Sequence, residues 1–256
     1  MVNAVVLAGP LDRRLAGPYE VPSKALIPVA GKPCVQYVLE SLRATPGVGG
    51  IALAGLPAVL DDPAAELADS RIADEGTIVS KLSAAAEAFG EGRKLLMVTC
   101  DIPLATPQSF ADTIAACPED CAFFHPLVAK EDAVRDFPDH KWFFLRLREA
   151  QVVTTNVLVF DPAWLRARSD LARSLEALRR HPNLMALRWG LPFLLRYELG
   201  LLTLDYCERF FSKILKAPCR GAIGPYVALA VDLDRPEDVP ILERALRRGE
   251  EPSDGR

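Results

Sequence analysis

The chain has 256 residues, enough for one α/β domain with an elaboration or for two small domains, and half of them are hydrophobic, which supplies a sizeable core. A formal net charge of −4 argues against a broadly basic nucleic-acid surface, and no uninterrupted apolar stretch is long enough to span a bilayer. The opening MVNAVVLAG lacks the basic start of a secretory leader, and the six scattered cysteines form no CxxC pair. Reduced, mostly buried thiols in a cytoplasmic protein are therefore expected rather than a zinc site.

In chain order, the β-branched run 2–7 reads as a buried strand. Pro33 starts a helix on which Val35, Val38, Leu39 and Leu42 recur at helical spacing. Residues 51–54 form a second short strand. Thr77 caps a helix carrying Ile78, Leu82, Ala85, Ala86 and Phe89. Residues 94–100 are a third strand, Thr106-Pro107 starts a helix over 109–117, and 121–125 are a fourth strand. This alternation predicts an α/β fold, a mixed and mostly parallel sheet with helices on both faces.

Beyond residue 140 the pattern changes. Residues 142–147 and 152–160 read as strands across a polar turn. Residues 163–217 read as a mainly helical insertion. Within it, a helix capped near Thr203 carries Leu204, Cys207, Phe210, Phe211, Ile214 and Leu215 on one face. Residues 226–231 read as a final strand before a last helix. Packing against the sheet with some interface role is the favoured reading of the helical block. A lid, a homodimer surface, or a membrane interface through 191–215 are the alternatives.

Three places carry candidate chemistry. The turn Leu7-Ala8-Gly9-Pro10 follows the first strand, where an open α/β sheet binds ligands and where free backbone N–H groups suit phosphate oxygens. Gly9 lets a ligand come close, and Arg13, Arg14 and Lys24 supply positive charge. An ordinary loop with solvated charges is the alternative. Asp101 ends an apolar strand on the same sheet edge and suits Mg²⁺, which binds through one or two carboxylates plus substrate phosphates. Its alternative is a turn cap, weakened because Thr106 already caps the next helix. Asp232 and Asp234 follow a third apolar run. Asp234 is expected to cap the helix beginning near Pro236, which leaves Asp232 as the metal candidate.

Together these places resemble the nucleotidyltransferases of the GT-A-like fold, and most closely the MobA-like NTP transferase domain proteins. Leu7-Ala8-Gly9-Pro10-Leu11-Asp12-Arg13-Arg14-Leu15 is similar to their L-A-G-G-x-G-x-R-[ML] signature. Lys24-Ala25-Leu26-Ile27-Pro28-Val29-Ala30-Gly31-Lys32-Pro33 is similar to K-x-L-x-P-[VL]-x-G-K-P. Thr99-Cys100-Asp101-Ile102-Pro103-Leu104 resembles the metal motif, and Asp232-Leu233-Asp234-Arg235-Pro236-Glu237-Asp238 the closing D-[VI]-[DG]-T-P-E-D.

The resemblance implies a single Rossmann-like, GT-A-type domain over 1–256 with the helical insertion at about 163–217. It implies Mg²⁺-dependent transfer of NMP from an NTP to a small phosphorylated acceptor, such as a sugar phosphate, with release of pyrophosphate. Asp101 and Asp232 would hold Mg²⁺. Arg14, or Arg13 in its place, would face the β/γ-phosphates, and Lys24 the α-phosphate or the acceptor phosphate. The backbone of Leu7, Ala8 and Gly9 would hold the base or ribose, Gly76 and Ser80 would contact the base, and Asn156 would lie near the acceptor. For Asn156, a strand residue bonded to a neighbour is an equal alternative.

Two positions depart from the signature. Pro10 replaces its second glycine and has no N–H to give a phosphate, and Asp12 replaces the third. A non-catalytic nucleotide-binding regulatory or scaffold protein of the same fold therefore stays open, as does a GT-A glycosyltransferase. A Rossmann dehydrogenase is disfavoured, because no G-x-G-x-x-G follows the first strand.

Overall fold

The structure is a computed structural model that describes all residues except 12–14, 16–17, 75, 91, 180–181 and 251–256. Among the described residues nine strands form one sheet: β1 (Val2–Ala8), β2 (Val48–Gly55), β3 (Ser70–Ala73), β4 (Leu95–Thr99), β5 (Phe123–Ala129), β6 (Leu145–Arg146), β7 (Gln151–Thr154), β8 (Val157–Phe160) and β9 (Cys219–Ile223). The helices, single turns aside, are α1 (Cys34–Ala44), α2 (Ile78–Phe89), α3 (Pro107–Ala116), α4 (Lys130–Asp136), α5 (Pro162–Ala167), α6 (Ser169–Arg179), α7 (Pro182–Glu198), α8 (Leu204–Leu215) and α9 (Asp238–Glu250).

β1 is central because it is apolar on both faces, and all seven of its residues are buried. It pairs in parallel with β2 and β4, and β3 extends the sheet in parallel beyond β2. Period-two alternation divides β1 between two cores: Ala4, Val6 and Ala8 face one, Val5 and Leu7 the other. α1 closes the first core with Val35, Val38, Leu39 and Leu42, and α2 closes the second with Val79, Leu82, Ala85 and Ala86. Where β1 and β2 end side by side, a Cβ on Gly55 would lie 3.2 Å from the Ala8 carbonyl oxygen, so this close approach favours glycine.

The second half of the sheet is mixed. β8 runs antiparallel to both β4 and β5. β7 pairs antiparallel with β5 further along the same edge, and β9 pairs in parallel along the other edge. The expected strand 152–160 is thus two strands, broken at Thr155 and Asn156. The break takes Asn156 out of the ladder and leaves it at the carboxyl end of β4, where its carbonyl accepts from the Thr99 N–H at 3.2 Å.

The expected final strand 226–231 is corrected. Val227–Leu229 is a short 3₁₀ turn, closed by the Ala230 N–H to the Val227 carbonyl at 2.9 Å. The outer edge of β5 is filled by β9 instead. Within 226–231 the apolar residues Val227, Leu229 and Val231 are buried in the core as a compact turn, a use of apolar side chains that short runs do not distinguish from a strand.

Helix starts match the sequence signals. The side chains of Thr77, Thr106 and Thr203 each accept an N–H at the start of α2, α3 and α8. The six cysteines are free, with Cys34, Cys100, Cys121 and Cys219 buried. No described helix is long and apolar enough to cross a membrane.

Candidate active site

The site begins where β1 ends. Pro10 faces Ser23 in an isolated antiparallel bridge, in which the Leu11 N–H donates to the Pro22 carbonyl at 2.9 Å. Ser23 is fully buried. Its hydroxyl donates to the Gly9 carbonyl at 2.6 Å and accepts from the Ala25 N–H at 3.2 Å, capping the 3₁₀ turn Lys24–Leu26. One serine therefore ties the turn after β1 to the backbone that carries Lys24. The chain then reverses through Ala30 and Gly31, both at positive φ, in the turn between Pro28–Val29 and Lys32–Pro33.

Asp101 lies just past the end of β4. The Cys100 N–H donates to the Leu7 carbonyl at 3.2 Å, and the Asp101 carbonyl accepts from the Leu233 N–H at 2.9 Å. The second bond stitches the loop 232–234 against Asp101. As a result one carboxylate oxygen from each of Asp101, Asp232 and Asp234 lies within 4.8 Å of the others.

Lys24 enters this group as its counter-charge. Its Nζ lies 3.1 Å from Asp101 Oδ2 and also bonds Asp234 Oδ1. Asn156 Nδ2 donates to Asp232 Oδ2 at 3.2 Å. Burial alone would lower the Lys24 ammonium, but Asp101 and Asp234 outweigh it and hold the ammonium well above its usual range. Asp232 moves the other way. Burial, then repulsion by Asp101 and Asp234, push its carboxyl up to about 7, against the opposing pull of Lys24 and Asn156.

A second layer lies behind Asp232. His140 is buried, with Nε2 3.8 Å from Asp232 Oδ1 and Nδ1 3.5 Å from Asp238 Oδ1. Its ring stands edge-on to Trp142, with centroids 4.5 Å apart. Burial works to raise the Asp238 carboxyl, but His140 and the N–H groups of Asp234 and Arg235 hold it below the usual carboxylate range.

The donors suit a hard divalent cation. Three carboxylates lie together, two of them paired with one ammonium, and Asp101 Oδ1 is buried without a hydrogen-bond partner. Mg²⁺ binds through such carboxylates together with substrate phosphates.

Of the residues expected from sequence, Lys24, Asp101, Asp232 and Asn156 are brought together. Asp234 corrects the expectation of a helix cap: its side chain turns to Lys24, and Asp238, the first residue of α9, reaches back to the preceding loop. Asp238 Oδ2 accepts from the Asp234 N–H at 3.0 Å and the Arg235 N–H at 2.8 Å. Leu7 and Ala8 are buried in the sheet. Gly9 borders open space, since a Cβ on it would meet nothing within 4 Å. Gly76, at φ +131°, and Ser80 stand at the start of α2, past the end of β3, where the Ser80 hydroxyl donates to the Thr77 carbonyl at 2.7 Å. Arg13, Arg14 and Asp12 lie outside the described residues. Sequence reasoning missed His140 and Asp238. The only signal for His140 was a histidine beside aromatic residues in Phe137-Pro138-Asp139-His140-Lys141-Trp142.

The model of the MobA-like NTP transferase domain matches residues 4–190. A hypothetical transferase from Thermus thermophilus is 34% identical over 93% of this chain and 99% of its own, with a TM-score of 0.82. CMP:2-keto-3-deoxy-manno-octonic acid synthetase complexed with CTP shares the fold at 15% identity and TM-score 0.61, over 97% of this chain and all of that one. So does 4-diphosphocytidyl-2C-methyl-D-erythritol synthase from Anaerococcus prevotii, at 14% identity and TM-score 0.60, over 96% of each chain. No curated protein matches. The family match over residues 4–190, together with the 34% identical relative, makes this chain a member of the MobA-like NTP transferase domain family.

Proposed function

We propose that the protein is a Mg²⁺-dependent nucleotidyltransferase that moves NMP from an NTP to a small phosphorylated acceptor. The observation that carries this reading is the cluster of Asp101, Asp232 and Asp234, with Lys24 paired to the first and last, beside the open turn at Gly9. The related fold complexed with CTP supports a nucleoside triphosphate as donor.

In the reaction an acceptor oxygen attacks the α-phosphorus and pyrophosphate leaves, so negative charge builds on the phosphates. Catalysis is then mainly positioning and electrostatic stabilisation. Asp101 and Asp232, with Asp234 beside them, would hold Mg²⁺, which neutralises part of that charge. Lys24 stays an ammonium at neutral pH and is a ready donor to the α-phosphate or the acceptor phosphate. Arg14, or Arg13, supplies charge to the β/γ-phosphates. Backbone at Leu7, Ala8 and Gly9 holds the nucleoside, with Gly76 and Ser80 toward the base. Asn156 orients Asp232 and borders the acceptor. The whole chain works as one domain, with 163–217 inserted in it.

The test is pyrophosphate release from each of the four NTPs with Mg²⁺, across a panel of sugar phosphates and other phosphorylated acceptors. Turnover with one pair, abolished by Asp101→Ala, is the expected result. A preliminary thermal-shift screen narrows the panel, because a ligand at about one hundred times its Kd adds ~2.7 kcal/mol of stability. Saturable NTP binding without turnover on any acceptor would favour the regulatory reading, and no NTP binding by calorimetry removes both.

A further inference from the structure

Of the six cysteines, only Cys117 and Cys207 are not buried. Their surroundings differ. Burial and the carboxylates of Glu149 and Glu208 push the Cys207 thiol up to about 11. Cys117 meets a cation instead. Lys94 Nζ lies 3.5 Å from its sulfur and is anchored by the Pro118 carbonyl at 2.6 Å.

Cys117 follows the last residue of α3, and the chain then turns at once. The Cys121 N–H donates to the Pro118 carbonyl at 3.2 Å, which closes a turn over Glu119 and Asp120. The turn brings the Cys121 thiol within hydrogen-bonding reach of the Cys117 sulfur. Cys121 also faces the carbonyl oxygens of Phe123 at 2.7 Å and Pro218 at 3.7 Å, which accept from a thiol and repel a thiolate. The two sulfurs are therefore unequal. The bond from Cys121 and the charge of Lys94 outweigh burial and hold the Cys117 thiol below the ordinary thiol range, while Cys121 is held above it by Cys117 and by burial. A partly exposed thiolate beside a lysine, with a second thiol against it, is the environment of a reactive cysteine and its resolving partner. Lys94 precedes β4 at the end opposite Asp101, so the pair stands apart from the acidic cluster around Lys24.

We propose that Cys117 and Cys121 form an oxidation site, in which a hydroperoxide converts the Cys117 thiolate to a sulfenic acid and the Cys121 thiol condenses with it into a disulfide. In the first step the Cys117 sulfur takes one peroxide oxygen and the O–O bond breaks, releasing water from hydrogen peroxide. In the second the Cys121 sulfur displaces that oxygen, the S–S bond forms, and the Cys121 proton leaves in a second water. The two thiols together give two electrons to the peroxide, and a dithiol restores them. The site is independent of the phosphate chemistry proposed above, and its test uses no nucleotide.

The reduced full chain is freed of reductant, treated with hydrogen peroxide, alkylated and mapped by mass spectrometry. Loss of two of the six thiols is expected. Because Glu119 separates the two cysteines, cleavage after it gives two fragments that stay joined until a dithiol is added. In Cys121→Ser the sulfenic acid has no partner, and dimedone should trap it at Cys117. Without peroxide, iodoacetamide should label Cys117 first, and Lys94→Met should slow that labelling about threefold or more at pH 6. Faster labelling or oxidation of Cys207 than of Cys117 in the unmodified chain overturns the proposal. So does oxidation of Cys117 to sulfinic acid with no bridge to Cys121, or an unchanged labelling rate in Lys94→Met.

Discussion

Lys24 Nζ lies 3.1 Å from Asp101 Oδ2, joining two residues 77 positions apart. The contact links the turn after β1 to the end of β4, the two places where an α/β sheet of this kind exposes its ligand edge. The same ammonium meets Asp234, and Asp232 stands behind them. One positive charge beside three carboxylates leaves a surplus of negative charge, which adds to burial in raising the Asp232 carboxyl. A divalent cation relieves that surplus, which connects the electrostatics of the site to its proposed chemistry.

Lys24→Met is therefore expected to act on both stability and rate. Losing a pair intermediate between exposed and buried should cost about 2 kcal/mol in urea denaturation without Mg²⁺. Added Mg²⁺ should stabilise the variant more than the native chain, because the cation no longer competes with an ammonium. Turnover should fall about 100-fold or more, mainly in kcat. Equal stabilisation of both proteins by Mg²⁺ would show that cation and lysine do not share these carboxylates.

Asp232 sets a pH dependence whose sign is fixed by its shift. The carboxyl rises from an ordinary 3.8 to about 7 on folding, so the folded chain binds the proton more tightly than the unfolded chain. Without metal, the Asp232 contribution to stability therefore declines as pH rises from about 4 to about 7 and levels off above. At the upper end the cost reaches ~4 kcal/mol. Asp232→Asn should remove this decline, so the variant gains on the native chain as pH increases. Parallel urea curves at pH 5 and 8 measure it, and an unchanged difference between the two proteins would contradict the assignment.

The elements that were legible in the sequence are those whose signals are local. The continuous β-branched run of β1, the α1 stripe of Val35, Val38, Leu39 and Leu42, and the threonine caps of α2, α3 and α8 each rest on neighbours within a turn or two. The site was legible where a strand end carries charge, as at Asp101, and where a motif stands out, as in the stretch from Lys24 to Pro33. Asp234 was not, because a cap and a charge partner look alike until the fold brings Lys24 across from 210 positions away. Nor was the role of residues 226–231, since β9 takes the open edge of β5.

Asp234 and Asp238 hold different partners in this loop. Asp238→Ala strands the N–H groups of Asp234 and Arg235 and should cost about 1–2 kcal/mol. Asp234→Asn keeps both bonds and should cost less, while weakening Mg²⁺ binding in calorimetry. The reverse order of stabilities would mean that the Asp234 side chain, not Asp238, holds this loop.

α6 reaches the start of α2 through Glu176, whose Oε1 accepts the Ile78 N–H and whose Oε2 accepts the Val79 N–H at 3.1 Å. A carboxylate at a helix N-terminus is favoured by both the bonds and the dipole. Glu176→Ala should cost about 1–2 kcal/mol, and Glu176→Gln clearly less, since one acceptor remains. Equal losses for the two, measured by urea denaturation, would mean that packing rather than hydrogen bonding joins these helices.

Pro10 stands at the turn after β1 without a backbone donor. Proline has no N–H, so its bridge with Ser23 relies on the flanking bond from the Leu11 N–H to the Pro22 carbonyl. In that type of pair the nitrogen at position 10 points away from Ser23. Pro10→Gly leaves the bridge intact and adds a donor on the outward side. It should cost about 0.5–1 kcal/mol of stability through backbone entropy. A hydrogen bond to a charged phosphate contributes roughly 1.5–3 kcal/mol, so NTP affinity should rise about tenfold or more. Calorimetry on the two proteins decides it. Unchanged or weaker NTP binding would mean that the triphosphate does not lie against this turn.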